Sequence, residues 1–217
     1  MAKSGSPSKV AGRGGARSVG TRRLLVDAAI ETLKSEGYAG ASARAIAERA
    51  GSTQGLIFYH FGSVVSLLLA ALDSVGAARL EQYGESVTNV VTPSELVDAA
   101  TDIFRKDLDA GYITVLVEMI SGASSTPGLG AEVAARIGPW KEFAQTAIEN
   151  SVGDSPLGTV LPSKDAAHAI VALYLGLEML SHLDGDREPA LALFAHAKQL
   201  AGMFEAMTGS TAAKETT

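Results

Sequence analysis

A chain of 217 residues, 47% apolar and 19% charged, is long enough for a small domain plus one bundle-sized core, and its composition is globular rather than disordered. It has no cysteine, which excludes a disulfide framework, a thiolate metal site and a cysteine nucleophile and fits a reducing cytoplasm. The net charge of −6 is uneven: residues 1–62 hold nine Lys/Arg against four Asp/Glu, a net +5, which leaves −11 on the rest. A basic N-terminal unit on an acidic body suits a head that meets nucleic acid and a body that does not.

Residues 1–20 are mostly Gly, Ser, Ala, Lys and Arg with one Pro and no acid, and predict a disordered basic tail. It is either inert or an arm for the DNA minor groove. A first helix follows over Leu24–Leu33, then Gly37-Tyr38. Residues 42–61 carry the most information. Ser42 is a good N-cap for a short helix over Arg44–Ala50, and Ala47 is small enough for a second helix to cross closely. Gly51 permits the positive φ of a sharp turn. A second helix starts near Thr53, with Ile57 and Phe61 on its inner side, and Phe58 is also read as core. This spacing matches a helix-turn-helix, whose second helix lies in the DNA major groove.

Beyond that unit, helical spacing persists without strand alternation. A connecting helix is expected from Ser63 to about Gly84, with Val65, Leu68, Leu69, Leu72 and Val75 on its apolar side. Thr92-Pro93-Ser94-Glu95 marks a helix start, and that helix reaches Ala110, where Gly111 breaks it. A short apolar helix spans Tyr112–Ile120, then a Gly/Ser/Pro-rich loop over 121–130. A long helix is expected over 129–150, bent near Gly138-Pro139, then a second loop over 151–163. Two last helices span Ser163–Leu183 and Glu188–Met207, and 208–217 is a flexible tail. The expected class is all-α, about nine helices in total, divided into a helix-turn-helix domain at 21–66 and a larger helical domain at 67–207.

The run from Thr21 to Leu68 resembles the DNA-binding region of the TetR family of transcriptional regulators. Leu24–Leu33, Gly37-Tyr38, Ser42-x-Arg44-x-Ile46-Ala47 and Gly55-Leu56-Ile57-Phe58-Tyr59-His60-Phe61 followed by Leu67-Leu68 carry the likeness. The resemblance implies that Ser42 and Thr53 touch phosphates through hydroxyls and helix N-terminal amides. It places Arg44, Gln54, Gly55 and Leu56 against base edges: Arg suits guanine, Gln suits adenine, and Leu56 a thymine methyl. Tyr59 and His60 would meet phosphate or adjoining bases. Three positions depart from the family pattern. Phe58 replaces the usual Tyr, Val64 the usual Lys, and Ser52 an apolar turn residue. Losing the Lys removes one phosphate contact, ~0.9 units of salt slope.

The resemblance also implies a homodimer on a palindromic operator and a small-molecule effector in the body. The helix over 163–183 is apolar nearly all round and must be covered on several sides. Ile170, Leu173, Leu177 and Leu180, with Phe194, Ala197, Leu200 and Phe204 on the last helix, are the expected dimer residues. Phe104, Tyr112, Met119, Trp140, Phe143, Tyr174 and Met179 are the candidate ligand contacts, Trp140 foremost, and suit an apolar or aromatic effector. Asp165/His168 and Glu178/His182 have metal-compatible spacing, but the two His are fourteen residues apart on one helix, ~21 Å, and share no ion within a subunit. No cofactor, metal or catalytic motif is expected. The apolar stretch Ala166–Leu180 is too short and too polar to read as a membrane span. The expected function is a cytoplasmic, sequence-specific repressor released from DNA by its ligand. The alternative is a weakly specific architectural DNA-binding protein without a ligand.

Overall fold

The computed structural model describes residues 11–153, 155, 158 and 160–214, with side chains described between 18 and 208. These residues form ten helices and no strand. The chain divides into two compact units, one ending at Ser74 and the other starting at Val75, so the division falls later than the expected boundary at 66.

In the first unit, α1 (Ala11–Gly40) buries Leu25, Val26, Ala28, Ala29 and Leu33 along one side. It bends at Gly37, where φ is 70°, a backbone value that favours glycine. The helix reaches back to Ala11, inside the segment expected to be a structureless tail; the remainder of that segment lies outside the described residues. Adding turns to an established helix escapes the nucleation cost, so a polar run without its own core can still be helical. Helix α2 (Ala43–Arg49) is capped by Ser42, whose Oγ accepts from Ala45 N–H at 3.2 Å. Gly51 then turns the chain with φ 58°, and α3 (Gln54–Phe61) follows. Ile46, Ala47 and Ile57 close the core between the two. Arg49 ties α2 back to α1 through Glu36 at 2.8 Å and Ser35 at 2.9 Å. Helix α4 (Val64–Thr88) begins here, burying Leu67, Leu68, Leu69, Ala71 and Leu72, and its later turns belong to the second unit.

In the second unit, α5 (Pro93–Ala110) opens with a capping box. Glu95 N–H donates to Thr92 Oγ1, and the Glu95 carboxylate accepts from Thr92 N–H. It ends at Gly111 in the left-handed region, φ 64°. Helix α6 (Tyr112–Ala123) runs one turn further than expected. The single helix expected over 129–150 is two, α7 (Leu129–Arg136) and α8 (Gly138–Val152). Pro139 has no N–H to extend the ladder of α7, and it is tolerated because it sits in the first turn of α8. Helix α9 (Ser163–Asp184) packs on α8, and α10 (Glu188–Lys214) packs on α5. The last helix continues beyond Met207, where a flexible tail was expected. Polar pairs pin α10 and the residue before it to α5: Arg187 to Asp109 at 2.9 Å, Lys198 to Asp98 at 2.7 Å, and Ser94 N–H to Glu205 at 2.7 Å. The core of this unit gathers Tyr83, Val87, Ile103 and Ala147, flanked by Leu96, Trp140, Phe143 and Tyr174.

Candidate nucleic-acid interface and buried charge cluster

The α2–α3 unit separates its residues cleanly. Its inner side is Ile46, Ala47 and Ile57, all buried. Ser42, Arg44, Thr53, Gln54, Gly55, Leu56 and Tyr59 are exposed, and His60 is half-buried. Tyr59 is 79% exposed although it is a large aromatic, and His60 meets its ring edge-on at 4.9 Å. Phe58, expected in the core, is 51% exposed. The reason is register: Ile57 and Phe61 already take the inward positions of α3, and Phe58 lies a residue off that stripe. Phe61 is half-buried with the Arg22 guanidinium over its ring at 4.8 Å.

Several features of this surface suit an anionic ligand. Ser42 Oγ accepts the cap bond and still has a proton to donate. Thr53 makes no side-chain cap, so the first amides of α3 remain available at a helix N-terminus. Gly55 is helical, and a Cβ there meets nothing closer than Thr53 Oγ1 at 4.0 Å, so the fold of the isolated chain does not demand glycine. Ser52 is less well accommodated: its Oγ is buried without a hydrogen-bond partner.

The second unit has a feature that sequence patterning missed. Arg79 on α4, Asp107 on α5 and Glu178 on α9 are buried together, with side chains 8%, 0% and 0% exposed. Asp107 is the hub. Its Oδ1 accepts from Arg79 Nε at 3.0 Å and Tyr83 Oη at 2.8 Å. Its Oδ2 accepts from Arg79 Nη2 and from Tyr174 Oη at 2.9 Å. Glu178 Oε1 lies 3.5 Å from Arg79, and neither of its oxygens has a hydrogen-bond partner. The Arg79 guanidinium stacks 4.4 Å from the Trp140 ring and 5.7 Å from that of Tyr112.

Burial pushes the Glu178 carboxyl up to about 8; Arg79 pulls the other way and Asp107 adds to the rise. Burial alone would lower the Arg79 pKa, but the Glu178 and Asp107 charges hold it above its ordinary value. Burial raises both tyrosines, reinforced at Tyr83 by the bond to Asp107 and at Tyr174 by the Glu178 charge. The sequence did contain a signal. Leu72, Val75, Arg79 and Tyr83 continue one apolar stripe of α4, and Asp107 continues the Ile103/Phe104 stripe of α5. A charge on an apolar stripe is a buried charge in search of partners.

Of the candidate ligand contacts, Tyr112, Trp140 and Tyr174 gather around this cluster. Phe104 stands against Tyr174 at 5.9 Å and Phe143 against Trp140 at 6.0 Å. Met119 is buried and Met179 half-buried. Of the candidate dimer residues, Ile170, Leu173, Leu180 and Leu200 are exposed, while Leu177, Phe194, Ala197 and Phe204 are half-buried. The Phe194 ring turns inward to Phe104 at 5.2 Å. Leu183, Leu193, Met203 and Met207 add to the exposed apolar surface of α9 and α10. Helix α9 has 22 residues and a stretch of mean hydropathy 1.4, long and apolar enough to cross a membrane by those two criteria, although Ala166–Leu180 alone is shorter. His168 and His182 are exposed, and no group of three metal-ligating side chains occurs among the described residues.

The profile described as "Bacterial regulatory proteins, tetR family" matches residues 25–71. An uncharacterized HTH-type transcriptional regulator of Mycobacterium tuberculosis (strain ATCC 25618 / H37Rv) is 34% identical over 100 residues, 46% of this chain and 51% of the relative. The chain thus aligns with about half the length of this curated relative. The A-factor receptor protein of Streptomyces griseus is 25% identical over 176 residues, 79% of this chain and 59% of the receptor. The crystal structure of the transcriptional regulator FadR from Bacillus subtilis in complex with stearoyl-CoA has a TM-score of 0.67 at 16% identity, covering 82% of this chain and 96% of FadR. At that identity the likeness is one of fold.

Proposed function

We propose that the chain is a member of the TetR family of bacterial regulatory proteins and acts as a homodimeric, DNA-binding transcriptional repressor released from a palindromic operator by a small molecule. The observation that carries this reading is the outer surface of the α2–α3 unit. A recognition helix with Gln54, Gly55, Leu56 and Tyr59 exposed stands on an apolar inner face that leaves no other task for them. Arg44 and Gln54 would read base edges, Ser42 and Thr53 would fix the helices on phosphates, and Gly55 would let the backbone approach the duplex.

The exposed apolar surface supports the dimer. Ile170, Leu173 and Leu180 share one side of α9, and Leu193, Leu200, Met203 and Met207 share one side of α10. Polar pairs occupy the opposite side of α10 against α5. A second copy would cover both helices at once and place two recognition helices about one DNA turn apart, which selects a palindrome. Burying the same surface in a bilayer is the weaker explanation, because α9 carries the fully buried Glu178 on its other side and belongs to a packed helical unit. The protein works in the cytoplasm on this reading. The name of the A-factor receptor and the stearoyl-CoA bound to FadR support a small-molecule effector for the second unit.

Selection of binding sites from random double-stranded DNA tests the proposal. An enriched palindrome is expected. Equal affinity for all sequences, with a steep salt dependence, would instead mark an architectural DNA binder.

A further inference from the structure

Two buried carboxylates share one buried guanidinium in the second unit. Asp107 is satisfied, with four donors on its two oxygens. Arg79 turns the Nε–Nη2 edge of its planar head to that partner. Glu178 is left with a 3.5 Å contact to Arg79 and no hydrogen bond on either oxygen. An ionised carboxylate buried this way is costly, so in the empty protein Glu178 holds a proton. The cluster therefore balances when one further positive charge is present, and a proton is only the smallest such charge.

The surroundings favour a larger one. Trp140, Tyr112 and Tyr174 line the cluster, and each is half-buried, so the aromatic rim reaches solvent while the carboxylates do not. Two of these rings already lie within cation–π distance of Arg79. An aromatic rim around an unbalanced carboxylate attracts cations and repels anions.

We propose that the effector of this chain is an organic cation with an aromatic or apolar body, whose positive charge pairs with Glu178 beneath Trp140. The inference rests on the ligand-responsive reading above and names the charge class of the ligand. An anion is disfavoured, because it would enter beside two carboxylates whose arginine is already engaged. Binding transfers the Glu178 proton to solvent as the cation takes its place. The other ionisable groups of the cluster are Arg79 and Tyr83 from α4, Asp107 from α5, Tyr112 from α6 and Tyr174 from α9. Helix α8 contributes the uncharged Trp140. Tyr83, Tyr174 and Arg79 are each pushed above their ordinary values, so the coupled proton near neutral pH is that of Glu178.

The test uses the full chain and probes of matched shape: tetraphenylphosphonium as cation, triphenylphosphine oxide as neutral molecule and tetraphenylborate as anion. Benzyltrimethylammonium and ethidium extend the cations to smaller and flatter shapes. Trp140 is the sole tryptophan, so its emission reports the site directly. The expected result is binding of cations in preference to the other two classes. Their affinity should rise about tenfold per pH unit from pH 6 to 8 and level off above. Glu178→Gln, which mimics the protonated acid, should lose at least tenfold in cation affinity at pH 8 and abolish the pH slope, while melting like the parent chain at pH 6. Preference for the neutral or anionic probe, or a cation affinity that Glu178→Gln leaves unchanged, overturns the inference and leaves the ligand-responsive reading standing. If no probe of any charge alters Trp140 emission or operator binding, the ligand-responsive reading falls and the inference with it.

Discussion

The two units distribute polarity in opposite ways. The first buries Leu, Ile and Ala, and its fully buried Thr32 is satisfied within its own helix by Ala28 O at 2.7 Å. Its outer surface carries the residues that meet a polar partner. The second buries an arginine and two carboxylates and exposes Leu173, Leu180, Leu200 and Met203. In the first unit the core holds the fold and the surface serves function. In the second, the residues that defy the usual inside–outside rule are the functional candidates, because an exposed apolar face needs a cover and a buried charge needs a counter-charge.

The largest effect is expected where the exposed apolar surface is broken. Leu173→Glu combined with Leu200→Glu should convert a dimer into a folded monomer in sedimentation velocity. Operator affinity should fall on the order of 100-fold or more, because the second head no longer binds intramolecularly. A dimer that survives both charges would move the interface elsewhere. Next comes the hub of the charge cluster. Asp107→Ala leaves Arg79 with only the 3.5 Å contact to Glu178, and two tyrosine hydroxyls without their acceptor, and should cost ~3–5 kcal/mol in urea unfolding followed at Trp140. Arg79→Met with Asp107→Leu should cost less than Asp107→Ala alone, since no charge is left without a partner except the protonatable Glu178.

How far these features were legible in the sequence differs between the units for a physical reason. In the head, each local signal had one meaning. Ser42 could cap, Gly51 could turn, and Ala47 could admit a crossing helix, and the structure uses each in that way. Phe58 was misread because an aromatic in an apolar run looks like core when the register is uncertain by one residue. In the body, helix starts such as Thr92–Glu95 were legible from capping chemistry. The cluster was not, because Arg79, Asp107 and Glu178 come together only through packing of helices far apart in the chain. Glu178 and His182 share a helix face by spacing, whereas the ion-pair partner of Glu178, Arg79, lies on α4 and His182 faces solvent. The break at Ile137 was visible as Gly138-Pro139, but its depth depended on the α7 and α8 ends and not on the dipeptide alone.

Smaller effects sharpen the contrast. Arg44→Ala should leave the head folded and reduce discrimination at one base pair of the selected operator by ~1–3 kcal/mol, measured by competition between matched and mismatched duplexes. A uniform loss over all sequences would make Arg44 a phosphate contact instead. For Glu178 the sign of the pH dependence follows from its raised folded value. Between its ordinary value near 4.5 and about 8, the unfolded chain ionises this group and the folded chain does not. Unfolding then releases a proton, so stability falls as pH rises across that window, at ~1.4 kcal/mol per unit, and levels off above it. Glu178→Gln should remove this share of the slope, read as the difference between the two proteins' urea midpoints at pH 5, 6, 7 and 8.

The smallest effect probes the one flaw in the head's apolar order. Ser52 follows the Gly51 turn, and its N–H is satisfied by Ala47 O at 2.9 Å, but its hydroxyl oxygen is buried without a partner. A buried hydroxyl without a hydrogen bond costs ~1 kcal/mol or more relative to an apolar atom in the same place. Ser52→Ala removes the oxygen, keeps the backbone bond and adds no volume. It should raise the melting temperature of the head by several degrees, on the order of 4–8 °C per kcal/mol for a unit of this size. The same variant should keep its operator affinity, since the oxygen points into the protein. A lower melting temperature would mean that the hydroxyl has found a partner such as an ordered water. Weaker DNA binding with unchanged stability would mean that the turn opens to give this serine to a phosphate, and the head would then share with the body the habit of holding a polar group in reserve for its ligand.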